Sequence, residues 1–209
     1  METPDGNTRE RDEALIRAFQ AGDPSAFKEI YGAHIGPLHH FVRRLRAGES
    51  ERMESIEDSC QSIMMAVYRQ LGRFAFRSSF TTYLYSAALN HVRSLRRRKP
   101  VLELDAPASR GPEGDGDSFK SLLASGREGQ DETLWRRELV GLLGRAMETL
   151  PEREKEVFLL REFEGLTFEA IAEATDQTLR NVQLIKEKAN LRLRRFLEAH
   201  GVQAGEGSP

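Results

Sequence analysis

The chain is predicted to be all-α, with two small helical domains joined by a flexible linker. Three observations predict this. Apolar residues recur at three- and four-residue spacing from Asp12 onward, the signature of amphipathic helices. The pattern breaks between Pro100 and Asp131 into a stretch rich in Gly, Pro, Ser, Ala and Asp and nearly free of aromatics, a linker composition. Helix-starting and helix-stopping residues stand at the ends of the periodic runs. The expected organisation is a loose tail over residues 1–11, a helical domain over 12–99, an acidic linker over 100–131, a second helical domain over 132–200 and a tail over 201–209.

In the first domain, Leu15, Ile16 and Phe19 form one apolar stripe. Asp23-Pro24 offers a cap followed by proline at the first helical position. Phe27, Ile30 and Tyr31 continue the buried face of the next helix, Gly36-Pro37 is expected to interrupt or kink it, and Leu38, Phe41, Val42 and Leu45 resume the spacing. Ser55 with Asp58 reads as a capping box. Ile56, Cys60, Ile63, Met64, Val67, Tyr68 and Leu71 then fall on one face, with Asp58, Gln61, Ser62, Met65 and Arg69 opposite. Ser79 can cap a helix that buries Phe80, Leu84, Ala88, Val92 and Leu95.

The linker is acidic in its middle, at Glu103, Asp105, Glu113, Asp115 and Asp117. Beyond it, Leu134, Leu139, Leu142, Leu143 and Met147 are periodic. Pro151 starts a helix, Gly165 can stop it in the left-handed conformation, and Thr167 caps the next. Thr175 to Gln177 makes a short turn, and Thr178 caps a final helix that buries Val182, Ile185, Ala189, Leu193 and Phe196. Two helices joined by a tight turn, the second longer and polar-faced, describe a helix-turn-helix. The acids Glu152 and Glu156 lie on a mixed-charge helix and are expected in solvent.

Charged residues are abundant, 31 basic and 33 acidic, yet the net charge is −2. Affinity for nucleic acid must therefore come from local patches. A lone Cys60 excludes an internal disulfide or a CxxC metal site and points to a reducing compartment. His34, His39, His40, His91 and His200 show no ligand spacing, so no metal and no cofactor are expected. No apolar run is long enough to span a bilayer and the N-terminus carries no signal-peptide pattern. A cytoplasmic protein without membrane insertion is expected. No nucleophile elbow, phosphate loop or catalytic carboxylate pair stands out, so the chain is read as having no catalytic residues and no enzymatic activity.

One segment concentrates the chemistry. Phe74, Phe76, Tyr83 and Tyr85 precede Arg93, Arg96, Arg97, Arg98 and Lys99. Exposed aromatics beside a basic track suit unstacked bases of a single strand, and the arginines suit its phosphates. In the helix-turn-helix, Arg180, Asn181, Gln183, Leu184, Glu187 and Lys188 form the face that would enter a major groove. Arg can read guanine there, and Asn or Gln can read adenine. A duplex reader, a flexible linker and a single-strand surface together would hold two separated DNA elements, one paired and one melted.

In this order the motifs resemble the bacterial RNA polymerase sigma factors of the sigma-70 family, extracytoplasmic-function group. The likeness runs from Asp12 to Leu197, and is strongest over RSSFTTYLYSAALN with its following arginines and over LPEREKEVFLLREFEGLTFEAIAE. It implies a region 2-like first domain that binds core polymerase and recognises and melts the minus 10 element, and a region 4-like second domain that reads the minus 35 element. Asp58, Gln61 and Tyr68 match a pattern whose exposed face, here with Met65 and Arg69, would dock on the core, at its beta and beta-prime subunits. Phe74, Ala75 and Phe76 sit where the family receives a flipped base, and Asn90 matches the asparagine lining that pocket. Tyr83 stands at the family's tryptophan position, Leu89 replaces an arginine and Ser94 an aspartate. Arg93, Arg96, Arg97 and Arg98 would hold backbone near the melting junction. The linker would thread toward the RNA exit path. An anti-sigma factor is a further partner that the resemblance implies. In the recognition helix RNVQLIKEKAN departs from the family, so promoter preference does not transfer.

The reading that competes with a promoter-specificity subunit is a stand-alone helix-turn-helix regulator of duplex DNA. Such a regulator normally dimerises on a two-fold site, and the sequence shows no dimerisation coiled coil or ligand pocket.

Overall fold

A computed structural model describes residues 6–49, 54–98 and 141–202. The linker over 100–131, the start of the second domain and the tail beyond residue 202 lie outside the described residues. What is described is helical throughout, with no strand among the described residues.

The first four helices are α1 (Gly6–Gln20), α2 (Ser25–Leu45), α3 (Ile56–Leu71) and α4 (Phe80–Arg98). α1 begins before the expected Asp12, so part of the presumed tail is helix. Asp23 accepts from the Ser25 backbone amide at 2.9 Å and from the Ser25 hydroxyl at 2.6 Å, which starts α2. α2 then runs unbroken through Pro37, where an interruption was expected. Ser55 Oγ accepts from the Asp58 amide at 3.0 Å and Ser79 Oγ from the Thr82 amide at 3.1 Å. Both caps fall where the sequence puts them.

These helices enclose one apolar core of Ile16, Ile30, Leu38, Phe41, Val42, Leu45, Ile63, Met64, Val67, Leu71, Phe80, Leu84, Ala88, Leu89 and Val92. Fully burying one such side chain contributes about 1.5–3 kcal/mol. Inside the same bundle, His34 Nε2 meets Asp12 Oδ1 at 2.9 Å with both side chains buried, tying α1 to α2. Cys60 is buried, and burial pushes its thiol up to about 11, so it acts as a small apolar residue. Tyr31 and Tyr68, expected inward, are 38% and 40% exposed. Tyr68 instead lies edge-on to Phe19 and Phe27, at centroid distances of 5.4 and 4.9 Å. Leu95 is half-buried.

The second half comprises α5 (described over 141–148), α6 (Glu152–Glu162), α7 (Phe168–Thr175) and α8 (Leu179–Ala199). Thr167 Oγ1 accepts from the Ala170 amide at 3.2 Å and Thr178 Oγ1 from the Asn181 amide at 3.3 Å, capping α7 and α8. Gly165 ends α6 with φ 68°, a left-handed position where glycine carries no Cβ penalty. Asp176 takes the same region at φ 54°, ψ 51° in the turn between α7 and α8, which an Asp side chain tolerates better than most. Leu142, Met147, Val157, Leu160, Ile171, Val182, Ala189 and Leu193 are buried between these helices.

The two halves pack on each other, α2 against α6 and α4 against α7. Buried residues of both belong to one continuous cluster.

Candidate nucleic-acid interface

The chain between α3 and α4 turns sharply, and Gln20 holds the turn. Its side-chain amide donates to the Leu71 carbonyl at 3.1 Å and the Phe74 carbonyl at 2.9 Å. This presents three aromatic rings side by side. Phe74 lies 5.2 Å from Phe76 and 5.2 Å from Tyr83, centroid to centroid. All three are half-buried, while Ala75 between them is exposed. Phe76 adopts φ 55°, a strained conformation for a bulky residue, and the Arg17 guanidinium sits 4.4 Å over its ring.

Tyr83, Asn90 and Arg97 are spaced seven apart on α4, so they fall on nearly one line of the helix surface. Asn90 and Arg97 are exposed, as is Arg98. Tyr85 is a correction: the sequence groups it with the exposed aromatics, but it is 4% exposed, packs edge-on to Phe41 at 4.8 Å, and donates its hydroxyl to Glu164.

Arg93 and Arg96 turn away from that line, toward the second half. Arg93 donates Nε to Glu156 Oε1 at 3.0 Å and Nη2 to Glu156 Oε2 at 2.6 Å. That carboxylate, expected in solvent, is 2% exposed. The pairing holds the Arg93 guanidinium above its ordinary range. Arg96 reaches Glu49 at 2.7 Å, the Leu45 carbonyl at 3.1 Å and Glu152 at 3.5 Å. Deeper in the seam, Arg44 Nη1 meets Glu164 Oε1 at 3.2 Å with side chains 5% and 8% exposed. Burial lowers the Arg44 pKa and raises that of Glu164. Burial first, then the Glu164 charge, raises Tyr85 well above an ordinary phenol. Lys155 Nζ donates to the Ala47 carbonyl at 3.0 Å, and burial lowers its pKa to about 8. None of these partners is legible locally, since each joins residues far apart in the chain.

On α8, all six expected base-reading residues, Arg180, Asn181, Gln183, Leu184, Glu187 and Lys188, are exposed. The Asn181 side chain donates to Gln177 Oε1 at 2.6 Å, bridging the turn and the helix. Lys186 tucks its stem against the bundle, with Nζ 2.9 Å from Glu162 and 4.8 Å from the Phe158 ring. Ile185 and Lys186, where the sequence departs from the family, are therefore both buried.

On α3, Asp58, Gln61, Met65 and Arg69 are all exposed, Met65 at 45%. Gln61 and Met65 line a groove of about 430 Å³ with Phe27, Tyr31, Glu57 and Met64. An exposed methionine and tyrosine stand there beside polar residues. Among the described residues no cluster of His, Cys, Asp or Glu could hold a metal ion. None of their helices is long and apolar enough to cross a membrane.

Residues 30–100 match the family described as Sigma-70 region 2, and residues 141–184 match Sigma-70, region 4. The chain is 30% identical over 169 residues to the RNA polymerase sigma-H factor of Pseudomonas aeruginosa, covering 79% of this chain and 82% of that one. It is 28% identical over 170 residues to the ECF RNA polymerase sigma-E factor of Escherichia coli, covering 79% and 83%. Two solved structures share the fold. CnrH in complex with the cytosolic domain of CnrY matches with a TM-score of 0.62 at 17% identity, over 90% of this chain and 98% of that one. The sigma factor RpoE in complex with the anti-sigma factor NepR from Bartonella quintana matches with a TM-score of 0.58 at 16% identity, over 82% and 96%. Two family models in this order and relatives matched over most of their length lead to one conclusion: the chain belongs to the sigma-70 family of RNA polymerase sigma factors, in the extracytoplasmic-function group.

Proposed function

We propose that the chain divides promoter recognition between its halves. The exposed face of α3, with Asp58, Gln61, Met65 and Arg69, docks on core RNA polymerase. The Phe74, Ala75, Phe76 loop takes one extruded base of the minus 10 strand, with Tyr83 and Asn90 beside it and the arginines of α4 on its phosphates. The N-terminal face of α8 reads the minus 35 duplex.

The observation that carries this reading is the packed trio Phe74, Phe76 and Tyr83, of which Tyr83 shares a line of α4 with exposed Asn90 and Arg97. Extruding a base costs a few kcal/mol of stacking, and an aromatic platform returns about 1–3 kcal/mol per base. An amide beside the platform can read a base edge, and arginine holds the backbone without regard to sequence.

Reconstitution with core polymerase tests it. Promoter DNA should show unpaired, permanganate-reactive thymines only when chain and core are both present. Strong duplex binding without core, and no opening with it, would sink the reading in favour of a stand-alone regulator. RpoE of Bartonella quintana, which shares this fold, is solved with an anti-sigma factor, and we extend that class of partner to this chain.

A further inference from the structure

Three arginines that no carboxylate claims stand at the aromatic loop. Arg17 of α1 lies 4.4 Å over the Phe76 ring, and Arg73 and Arg77 bracket the segment from Phe74 to Phe76 in the chain. All three residues are exposed, and none pairs with a carboxylate among the described residues. Glu13, one turn before Arg17, is already taken by Arg9 at 3.1 Å. From Ser59 to Leu102 the sequence holds no acidic residue, although the chain carries 33. A guanidinium over a ring gains from the ring's face without using its N–H donors. Those donors stay available for phosphate oxygens.

α1 is fixed to this loop as well as close to it. Gln20, one turn beyond Arg17, donates to the Leu71 and Phe74 carbonyls at 3.1 and 2.9 Å. Phe76 is held at φ 55° with its ring under the Arg17 guanidinium, so charge and ring keep one spacing. The arginines of α4 are placed differently. Glu156 engages both edges of the Arg93 guanidinium, at 3.0 and 2.6 Å. Arg97 stands two heptads past Tyr83, about 21 Å along the helix at about 1.5 Å per residue. One nucleotide of a stacked strand advances about 3.4 Å, so Arg97 reaches phosphates several nucleotides from a base held at the aromatic trio.

We propose that α1 completes the single-strand site: Arg17, with Arg73 and Arg77, holds the phosphates next to the extruded base, an assignment that rests on the base capture proposed above for the loop. The rings and Asn90 meet the base, and these three cations meet only its backbone. They therefore add affinity without sequence preference, and Gln20 keeps them in register with the rings.

The test uses holoenzyme reconstituted from the full chain and core polymerase. The probe is a fluorescein-labelled promoter fragment mismatched over its minus 10 region, so that binding requires no opening. Each phosphate contact to a single strand contributes about 0.7 to the slope of log affinity against log salt. Arg17→Ala should flatten the slope by about that amount and weaken binding about threefold to tenfold at low salt, and Arg73→Ala and Arg77→Ala should each do the same. Arg17→Lys keeps the charge and should keep the slope. Unchanged melting temperature and unchanged assembly with core establish that the variants fold. An unchanged slope in Arg17→Ala overturns the proposal whether or not affinity falls, since lost packing on Phe76 weakens binding without altering its salt dependence.

A second measurement removes the charge from the DNA instead. A neutral methylphosphonate beside the extruded base should weaken binding by the parent holoenzyme and cause no further loss with Arg17→Ala. Equal losses in the two chains overturn the contact. Failure of base capture itself has a different signature, since the parent holoenzyme would then leave promoter thymines unreactive to permanganate.

Discussion

Arg44 and Glu164 meet at 3.2 Å with almost no exposure to solvent, although one ends a helix of the first half and the other follows a helix of the second. Their contact makes the seam between the halves a specific joint. The Arg44 guanidinium also lies 4.7 Å over the Phe163 ring, and Glu164 accepts from Tyr85, so each charge has more than one partner. The Arg44 Nε atom nonetheless has no hydrogen-bond partner among the described residues, so its burial carries a desolvation cost that no hydrogen bond offsets.

Lys155 gives that joint a pH signature. Burial lowers its pKa from 10.5 to about 8, so the closed state binds fewer protons than the open one between those values. Closure is therefore opposed fully below pH 8 by the burial of a charged amine, and the opposition fades as pH rises toward 10.5. The contact between the halves should therefore be weakest below pH 8 and tighten as pH rises toward 10.5, and a radius of gyration that does not fall over that range in X-ray scattering of the free chain would count against it.

Asn90 is exposed, and its replacement by alanine should leave stability within about 0.5 kcal/mol of the parent. Promoter opening should nonetheless fall, with core binding intact. Equal loss of core binding, measured by native gel or anisotropy, would make Asn90 structural.

Phe76 sits at φ 55°, where a residue with a Cβ is strained by about 1–2 kcal/mol. Phe76→Gly should therefore be more stable than Phe76→Ala by about 1 kcal/mol in urea unfolding. Neither should restore opening, because both lack the ring.

Met65 protrudes from α3 at 45% exposure beside the groove that Tyr31 lines. Met65→Glu should weaken core binding at least tenfold while leaving the melting temperature unchanged. An undiminished complex would move the core contact elsewhere.

Gln183 is exposed in the first turns of α8, on the face proposed to read the duplex. Gln183→Ala should alter preference at one upstream base pair by about 1–3 kcal/mol, seen by selecting binding sites with the holoenzyme. An unchanged profile removes it from the reading set.

Much of the fold was legible from local chemistry. The caps at Ser55, Ser79, Thr167 and Thr178 and the left-handed stop at Gly165 act over a few residues, so a few residues announce them. The packed aromatic loop and the exposure of Arg180, Asn181, Gln183, Leu184, Glu187 and Lys188 on α8 follow from spacing in the same way. Periodicity placed Ile63, Leu84 and Val182 inside correctly. It misplaced Tyr31 and Tyr68 because an aromatic ring can satisfy a helical stripe from the rim, by packing on neighbouring rings and leaving its other side in water.

By itself the sequence determined that the chain is helical, where its helices are capped, which family it belongs to and which residues carry aromatic and basic chemistry. Only the tertiary structure decided which of those groups are free. Tyr85 is drawn from the base-binding set into the core, Glu156 goes from solvent to a bidentate pair, and Arg93 and Arg96 are engaged while Arg97 and Arg98 remain exposed. The reason is physical. Caps and periodicity are set by neighbours along the chain, whereas the partner of a charge is whichever opposite charge the packing of the two halves carries to within reach.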